Sequence, residues 1–318
     1  MKKIRKYIYL LLIFSYVSFT SCEDFALGEK FLQKPPSGDV TIDTIFSTAE
    51  YARRVLWYAY SKLPYGFSTG YNNSTSMRVG SIESLTDLAQ SYVGYAGADK
   101  LYYPGLYNAG SEDESGGEDH ATKYNMYARD PWKGIRHAWV FINNVDRVPD
   151  MTAEEKLRLK AEAKITIAVQ YSEMLRHYGA LPIVDHAIMP EEMGLPERAT
   201  LQQTVDFITR LLDEAIACKE LPWALPEDDL SNESGRMTGA AAMGLKLRVL
   251  LFVASPLFNS DEPYFPGEAS DKLMTWFGGY SEQRWKDAAK AGEDFFKSWK
   301  QGGFYELVLF RNHHWYVP

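Results

Sequence analysis

The chain has 318 residues, 46% hydrophobic and 24% charged, enough for one large domain or two smaller ones around a substantial core. Two cysteines exclude a disulfide scaffold. The 42 acidic against 34 basic residues, a net charge of −8, argue against a nucleic-acid partner, whose phosphates would be repelled. Aromatics reach 14%, with 21 Tyr against 16 Phe, and Tyr joins an apolar face to a polar tip, so the excess suits a half-wet surface as well as a core.

Lys2, Lys3, Arg5 and Lys6 form a basic start, and Ile8 to Phe19 is an apolar run broken only by Ser and Tyr. As helix those residues rise ~18 Å, well short of the ~30 Å hydrocarbon layer, so residues 1–21 read as an export signal. Phe19-Thr20-Ser21-Cys22 resembles a bacterial lipobox, with Phe19 where Leu is usual, and predicts acylation of Cys22. Ordinary cleavage near Ser21 is the alternative. Lipid on Cys22 would leave Cys218 without a disulfide partner, and Cys218 reads as a small hydrophobe rather than a nucleophile. Losing the four basic residues takes the net charge from −8 to −12. Residues 22–42, with charges, Gly38 and Pro35-Pro36, read as a tether ahead of a folded body spanning 43–318.

That body reads as helix after helix. Ser47-x-x-Glu50 has the form of a capping box, followed by Ala52, Leu56, Ala59 and Leu63 on one face and stopped by Pro64. Between Pro131 and Val148 the positions Ile135, Ala138, Ile142 and Val145 form another apolar stripe. Thr152-x-x-Glu155 opens the clearest helix, with Leu157, Ala161, Ile165, Ala168, Tyr171, Leu175 and Tyr178 recurring every three or four residues. Gly179 and Pro182 end it. Thr200-x-x-Gln203 precedes Val205, Ile208, Leu212 and Ala215; Thr238 precedes an Ala/Leu-rich run closed by Ser255-Pro256. Ser281 precedes Trp285, Ala288, Gly292, Phe295 and Trp299, and Tyr305 to Phe310 is one short strand candidate. The expectation is an all-α body. The helix spacing is too irregular for a regular repeat but suits stacked antiparallel pairs of the tetratricopeptide kind with long loops.

Two of those loops stand out. Residues 64–109 carry seven tyrosines (65, 71, 92, 95, 102, 103 and 107) where the chain average places about three. Its first part, Pro64 to Met77, has no charge and is rich in Gly, Ser, Thr and Asn, the composition of a paratope. Sugars offer CH faces that stack on rings and hydroxyls that pair with amides, carboxylates and guanidiniums. The ring candidates are Tyr71, Tyr92 and Tyr95, and the polar ones Asn72, Asn73, Arg78 and Asp87. A loop that packs its tyrosines on its own helices is the other reading. Asn259 to Tyr280, with Tyr264, Phe265, Trp276, Phe277 and Tyr280, follows the same logic, with Tyr264 and Trp276 as its candidates.

Catalytic constellations fail on inspection. Gly66-Phe67-Ser68-Thr69-Gly70 fits G-x-S-x-G but lacks the strand before and helix after that a nucleophile elbow needs. The six histidines (120, 137, 177, 186, 313 and 314) form no H-E-x-x-H motif and no i, i+4 helical pair. The acidic run Ser111 to Asp119 lacks the ligand spacing of an EF-hand; it reads as a solvated loop, with weak Ca²⁺ binding the alternative, and no cofactor is expected. Gly235 to Gly239 lacks the spacing and Lys of a phosphate loop. A glycosidase's carboxylate pair would come from distant positions, and none of the acids is singled out.

Taken in order, several stretches resemble the SusD/RagB family of surface lipoproteins. They are Cys22 followed by Glu23-Asp24-Phe25; Asp43-Thr44-Ile45-Phe46 running to Tyr60-Ser61-Lys62-Leu63; and Trp132-Lys133-Gly134-Ile135 through Ile142-Asn143-Asn144-Val145. Then come Ala161-Glu162-Ala163, Tyr178-Gly179-Ala180-Leu181-Pro182-Ile183, Gly235-Arg236-Met237-Thr238 and Ala254-Ser255-Pro256-Leu257-Phe258-Asn259. Trp285-x-x-Ala288-Ala289 and Tyr305-Glu306-Leu307 close the series. The resemblance implies an α-helical fold with tetratricopeptide-like pairs and a non-enzymatic role. That role is capture of oligosaccharide, sometimes peptide, at the outer membrane for a SusC-type TonB-dependent transporter. It implies a lipid-anchored protein facing the exterior and ligand loops in the regions of 64–109 and 259–280. Family members run well past 318 residues, so the chain looks truncated at its C-terminus. An α-helical glycoside hydrolase and a structural transporter lid are the competing expectations.

Overall fold

The computed structural model describes residues 41–63, 87–88, 90, 103–106, 130–188, 192, 194 and 196–302. The expected signal, the Cys22 lipobox, most of the 64–109 loop, the acidic run and the strand candidate at Tyr305 lie outside them. The chain divides into two units, Met1–Ile45 and Phe46–Pro318. Of the first, the described part is one helical turn, α1 (Ile42–Ile45), started by Thr41, whose Oγ1 accepts from the Thr44 amide at 3.2 Å.

The second unit carries α2 (Ala49–Ser61), α3 (Asp130–Asn144), α4 (Ala153–Tyr178), α5 (Leu201–Ile216), α6 (Leu230–Glu233), α7 (Gly239–Ala254), α8 (Glu268–Asp271) and α9 (Glu282–Gly302). Among the described residues there is no strand, only a single antiparallel bridge between Pro182 and Arg198. The caps follow local chemistry. Thr152 accepts from the Glu155 amide, Thr238 from the Ala241 amide, and Thr200 with Gln203 completes a reciprocal capping box. At α2 the cap is Thr48, which accepts from Tyr51, one residue later than the Ser47 box suggests. The Ala49 amide, left over by that shift, donates to Asp150 Oδ1 at 2.7 Å.

Pairwise contacts give the order and directions of the stack. Lys62 lies by Gly134 and Phe46 by Phe141, so α2 and α3 run antiparallel. Tyr171 meets Phe207 while Lys164 meets Glu214, so α4 and α5 are antiparallel too. Gly244 meets Phe295 and Leu247 meets Gly292, which sets α7 against α9. Arg53 to Glu155 and the Lys62 carbonyl to Gln170 align α2 with α4, and Glu173 to Arg248 and Arg176 to Phe252 align α4 with α7. The result is three antiparallel hairpins, α2/α3, α4/α5 and α7/α9, whose first helices run in one direction. This is a tetratricopeptide-like stack, as expected.

The middle helix carries the core. Ala161, Ile165, Ala168, Tyr171 and Leu175 of its periodic face are buried, and so are Leu159, Ile167 and Met174 on other faces. Burying each large aliphatic chain contributes ~1.5–3 kcal/mol. Leu157, at the head of the stripe, is exposed. On α3 Phe141 and Trp139 are buried while Ile142 is half-buried, since a helix packed on both α2 and α4 buries more than one stripe.

Candidate ligand-binding surface

The described part of the expected site is the loop between α7 and α9. Ser255 ends α7 in an extended conformation, and the amides of Phe258 and Asn259 return to its carbonyl. Asn259, 2% exposed, then ties the loop's two ends. Its Nδ2 donates to the Ala254 carbonyl (3.3 Å) and the Ser281 carbonyl (3.0 Å). Its Oδ1 accepts from the Ser281 amide (2.7 Å) and from Arg284 (2.8 Å). Arg284 also donates to the Gly279 carbonyl at 2.9 Å and lies 4.0 Å from the Phe277 ring centroid.

The middle of the loop is pinned to the α4–α5 connection. The Leu273 carbonyl accepts from the Leu201 amide and the Met274 carbonyl from the Ala180 amide, both at 2.8 Å. Gly179 permits this approach: it ends α4 at φ 73°, and a Cβ there would sit 2.7 Å from the Met274 oxygen. Within the loop, buried Ser270 bonds both the amide and the carbonyl of Gly267, and Trp276 donates its indole N–H to the Ser270 carbonyl at 3.0 Å. A loop with its ends clamped and its middle anchored has little freedom left to lose on binding.

From that frame Tyr264 and Phe265 project with 82% and 81% of their surface exposed, and Tyr280 with 54%. Tyr264 and Phe265 are consecutive and lie between the clamp at Asn259 and the Gly267–Ser270 turn. Of the expected residues, Tyr264 is thus presented to solvent, whereas Trp276 is half-buried with its N–H engaged inside the loop. Asp87 is exposed. Tyr71, Asn72, Asn73, Arg78, Tyr92 and Tyr95 lie outside the described residues. Sequence reading passed over Asn259 and Arg284, which build the frame. Their signal was an Asn three residues after the Pro of a helix-ending Ser-Pro and an Arg in the first turn of the next helix.

No cluster among the described residues suits a metal ion, and none of their helices is long and apolar enough to cross a membrane. Cys218, half-buried just past α5, has its thiol pushed up by burial, the opposite of an activated nucleophile.

A second polar assembly is built around α4. Glu162, fully buried on α4, accepts from Tyr60 (2.8 Å), Arg158 (3.1 Å) and Arg236 (2.6 and 3.1 Å). Tyr60 accepts in turn from the Met237 amide at 3.0 Å, and burial, with the Glu162 charge, pushes its hydroxyl up. Glu233 bridges Arg158 and Arg236, and Arg236 lies 5.3 Å from the Trp57 ring centroid. Every oxygen of the carboxylate is used, which is the condition for a buried charge. This assembly ties α2, α4 and the segment before α7 together.

The fold defines a class: a stack of tetratricopeptide-like hairpins decorated by long loops. No family model matches the sequence and no curated protein does. Solved structures do. The protein BT4246 aligns with a TM-score of 0.60 at 22% identity over 82% of this chain and 41% of its own. A SusD-like protein from Bacteroides fragilis aligns at 0.54 and 20% identity, over 86% and 42% of the two chains. A SusD-like carbohydrate-binding protein from the same species aligns at 0.52 and 18% identity, over 80% and 41%. The chain has the SusD-like fold, which bears out the resemblance read from sequence at the level of fold. It spans less than half the length of these structural neighbours.

Proposed function

We propose that this chain is part of a SusD/RagB-type surface protein that captures neutral oligosaccharide without chemically altering it. In this reading Cys22 carries the lipid that anchors the protein to the outer membrane, and a SusC-type TonB-dependent transporter takes up the captured glycan. The observation that carries it is the Tyr264–Phe265 pair, exposed on a backbone clamped by Asn259 and anchored at Leu273 and Met274. Stacked rings bind CH faces of sugars without needing ligand charge, and the net charge of −8 makes an anionic glycan the harder ligand. The likeness to a SusD-like carbohydrate-binding protein supports the same reading.

The test is a panel of plant and host glycans on affinity gels, with soluble protein lacking Cys22. Retardation without released reducing sugar is expected. Sugar release would establish a hydrolase instead, and neither retardation nor release would favour a structural lid or a peptide ligand. Tyr264→Ala, Trp276→Ala, Tyr71→Ala and Tyr95→Ala should each weaken binding by about 1–3 kcal/mol, the range for base–aromatic stacking. Full affinity in all four rejects the aromatic platform.

A further inference from the structure

Among the described residues, Leu273 is the one residue other than glycine with a left-handed backbone, at φ 53°. That conformation brings a β-carbon close to the following carbonyl oxygen, which is why glycine usually occupies it. Leu273 stands where the chain leaves α8. Its amide donates to the Ser270 carbonyl at 2.9 Å, and the Met274 amide donates to the Ala269 carbonyl at 2.8 Å. With Lys272 as the C-cap, these are the two bonds of a Schellman stop, and Leu273 fills its glycine position.

The carbonyls of the same two residues are engaged as well, Leu273 by the Leu201 amide and Met274 by the Ala180 amide. Surroundings that fix a residue this fully let a strained conformation persist. A glycine would make the same four bonds without strain, so the bonds do not account for a leucine. The side chain does. Its Cδ2 lies 3.0 Å from where a Cβ on Gly278 would stand, so the leucine packs on the Gly278 backbone. Gly278 is itself left-handed, at φ 83°, and the contact braces the turn from Trp276 to Tyr280. The other tethers of that turn are the Trp276 indole on Ser270, the Phe277 amide on the Phe258 carbonyl (3.1 Å) and Arg284 on the Gly279 carbonyl. Tyr280 follows directly, 54% exposed.

We propose that Leu273 is a positioning residue of the ligand loop: it keeps a left-handed backbone so that its side chain braces Gly278, and the brace sets Tyr280 as a ring that stacks on saccharide. The inference rests on the capture reading above. It adds Tyr280 to the rings that meet the glycan and gives a backbone reason for where that ring stands.

The test compares Leu273→Gly, Leu273→Ala and Leu273→Met in the full chain lacking Cys22. Urea midpoints are measured, and calorimetry with neutral gluco-, manno- and xylo-hexasaccharides gives affinities. In ordinary backbone an alanine variant is more stable than a glycine one; here Leu273→Gly should have the higher midpoint, because Leu273→Ala keeps the β-carbon. Affinity should follow a different order. Leu273→Gly and Leu273→Ala both lose the brace and should each weaken hexasaccharide binding about tenfold, the scale of one lost stacking contact. Leu273→Met, of similar volume, should keep it. Tyr280→Ala should lose as much, and adding Leu273→Ala to it should lose no more. A midpoint for Leu273→Ala at or above that of Leu273→Gly overturns the strained backbone. Full affinity in both variants, or a Leu273→Ala loss that persists in the Tyr280→Ala background, overturns the positioning role and leaves capture standing. No binding of any hexasaccharide or panel glycan by the native chain overturns both.

Discussion

Two arginines do similar geometric work in this molecule with different partners. Arg236 lies over Trp57 and bonds the buried Glu162; Arg284 lies over Phe277 and bonds Asn259 and the Gly279 carbonyl. Burial acts first on both guanidiniums and pulls their pKa down. At Arg236 the Glu162 and Glu233 carboxylates reverse the shift, so it ends raised; at Arg284 the neutral acceptors do not, and it stays lowered. The difference separates their roles. Removing a charge-paired arginine takes two of the four bonds that compensate a buried carboxylate, so the Glu162 assembly serves stability. A neutral-paired arginine shapes a loop whose outer rings, Tyr264 and Phe265, are exposed.

Arg236→Ala should break the comparison most severely. It takes two of the four bonds to Glu162, leaving Tyr60 and Arg158, and should cost about 3 kcal/mol, read as a lower urea midpoint. Gly179→Ala attacks the loop's anchor: the new Cβ would meet the Met274 oxygen at 2.7 Å in a left-handed backbone. A cost of about 1–3 kcal/mol is expected, with weaker glycan binding through the displaced loop. Arg284→Ala leaves Asn259 Oδ1 still bonded to Ser281, so about 1 kcal/mol should go, and the main loss should be in affinity. An Arg284→Ala protein as unstable as Arg236→Ala would erase the distinction.

The smallest effect concerns an ion pair in solvent. His186 places its ring nitrogens 2.8 Å from Glu192 and from Asp185, which raise its pKa above the ordinary 6.5, Glu192 contributing most. A raised folded pKa means the contribution is complete below about 6.5 and is lost as pH rises through the folded value. NMR titration should find the imidazole above its ordinary value, and Glu192→Gln should bring it back toward it. An unchanged titration in that variant would assign the shift elsewhere.

Much of the scaffold was legible in the amino-acid order because its signals are local. Thr152, Thr200 and Thr238 cap the helices they precede, and the stripe from Ala161 to Leu175 turns inward, since a capping bond or an apolar period needs only nearby residues. Ser47 was misread by one position because Ser and Thr both cap, and Asp150, about a hundred residues on, satisfies the amide that Thr48 leaves.

The candidate site was legible only in composition. Aromatic enrichment marked the 259–280 loop, but nothing local says that Tyr264 faces solvent while Trp276 spends its N–H on Ser270. Sequence by itself determined an all-α chain, its helix starts and its family resemblance. Tertiary structure alone decided that Glu162 is a buried anchor, that Gly179 admits the Met274 carbonyl, and that the Leu201 amide holds Leu273. These depend on residues tens to hundreds of positions apart, and periodicity carries no information about which distant partner a polar group will meet.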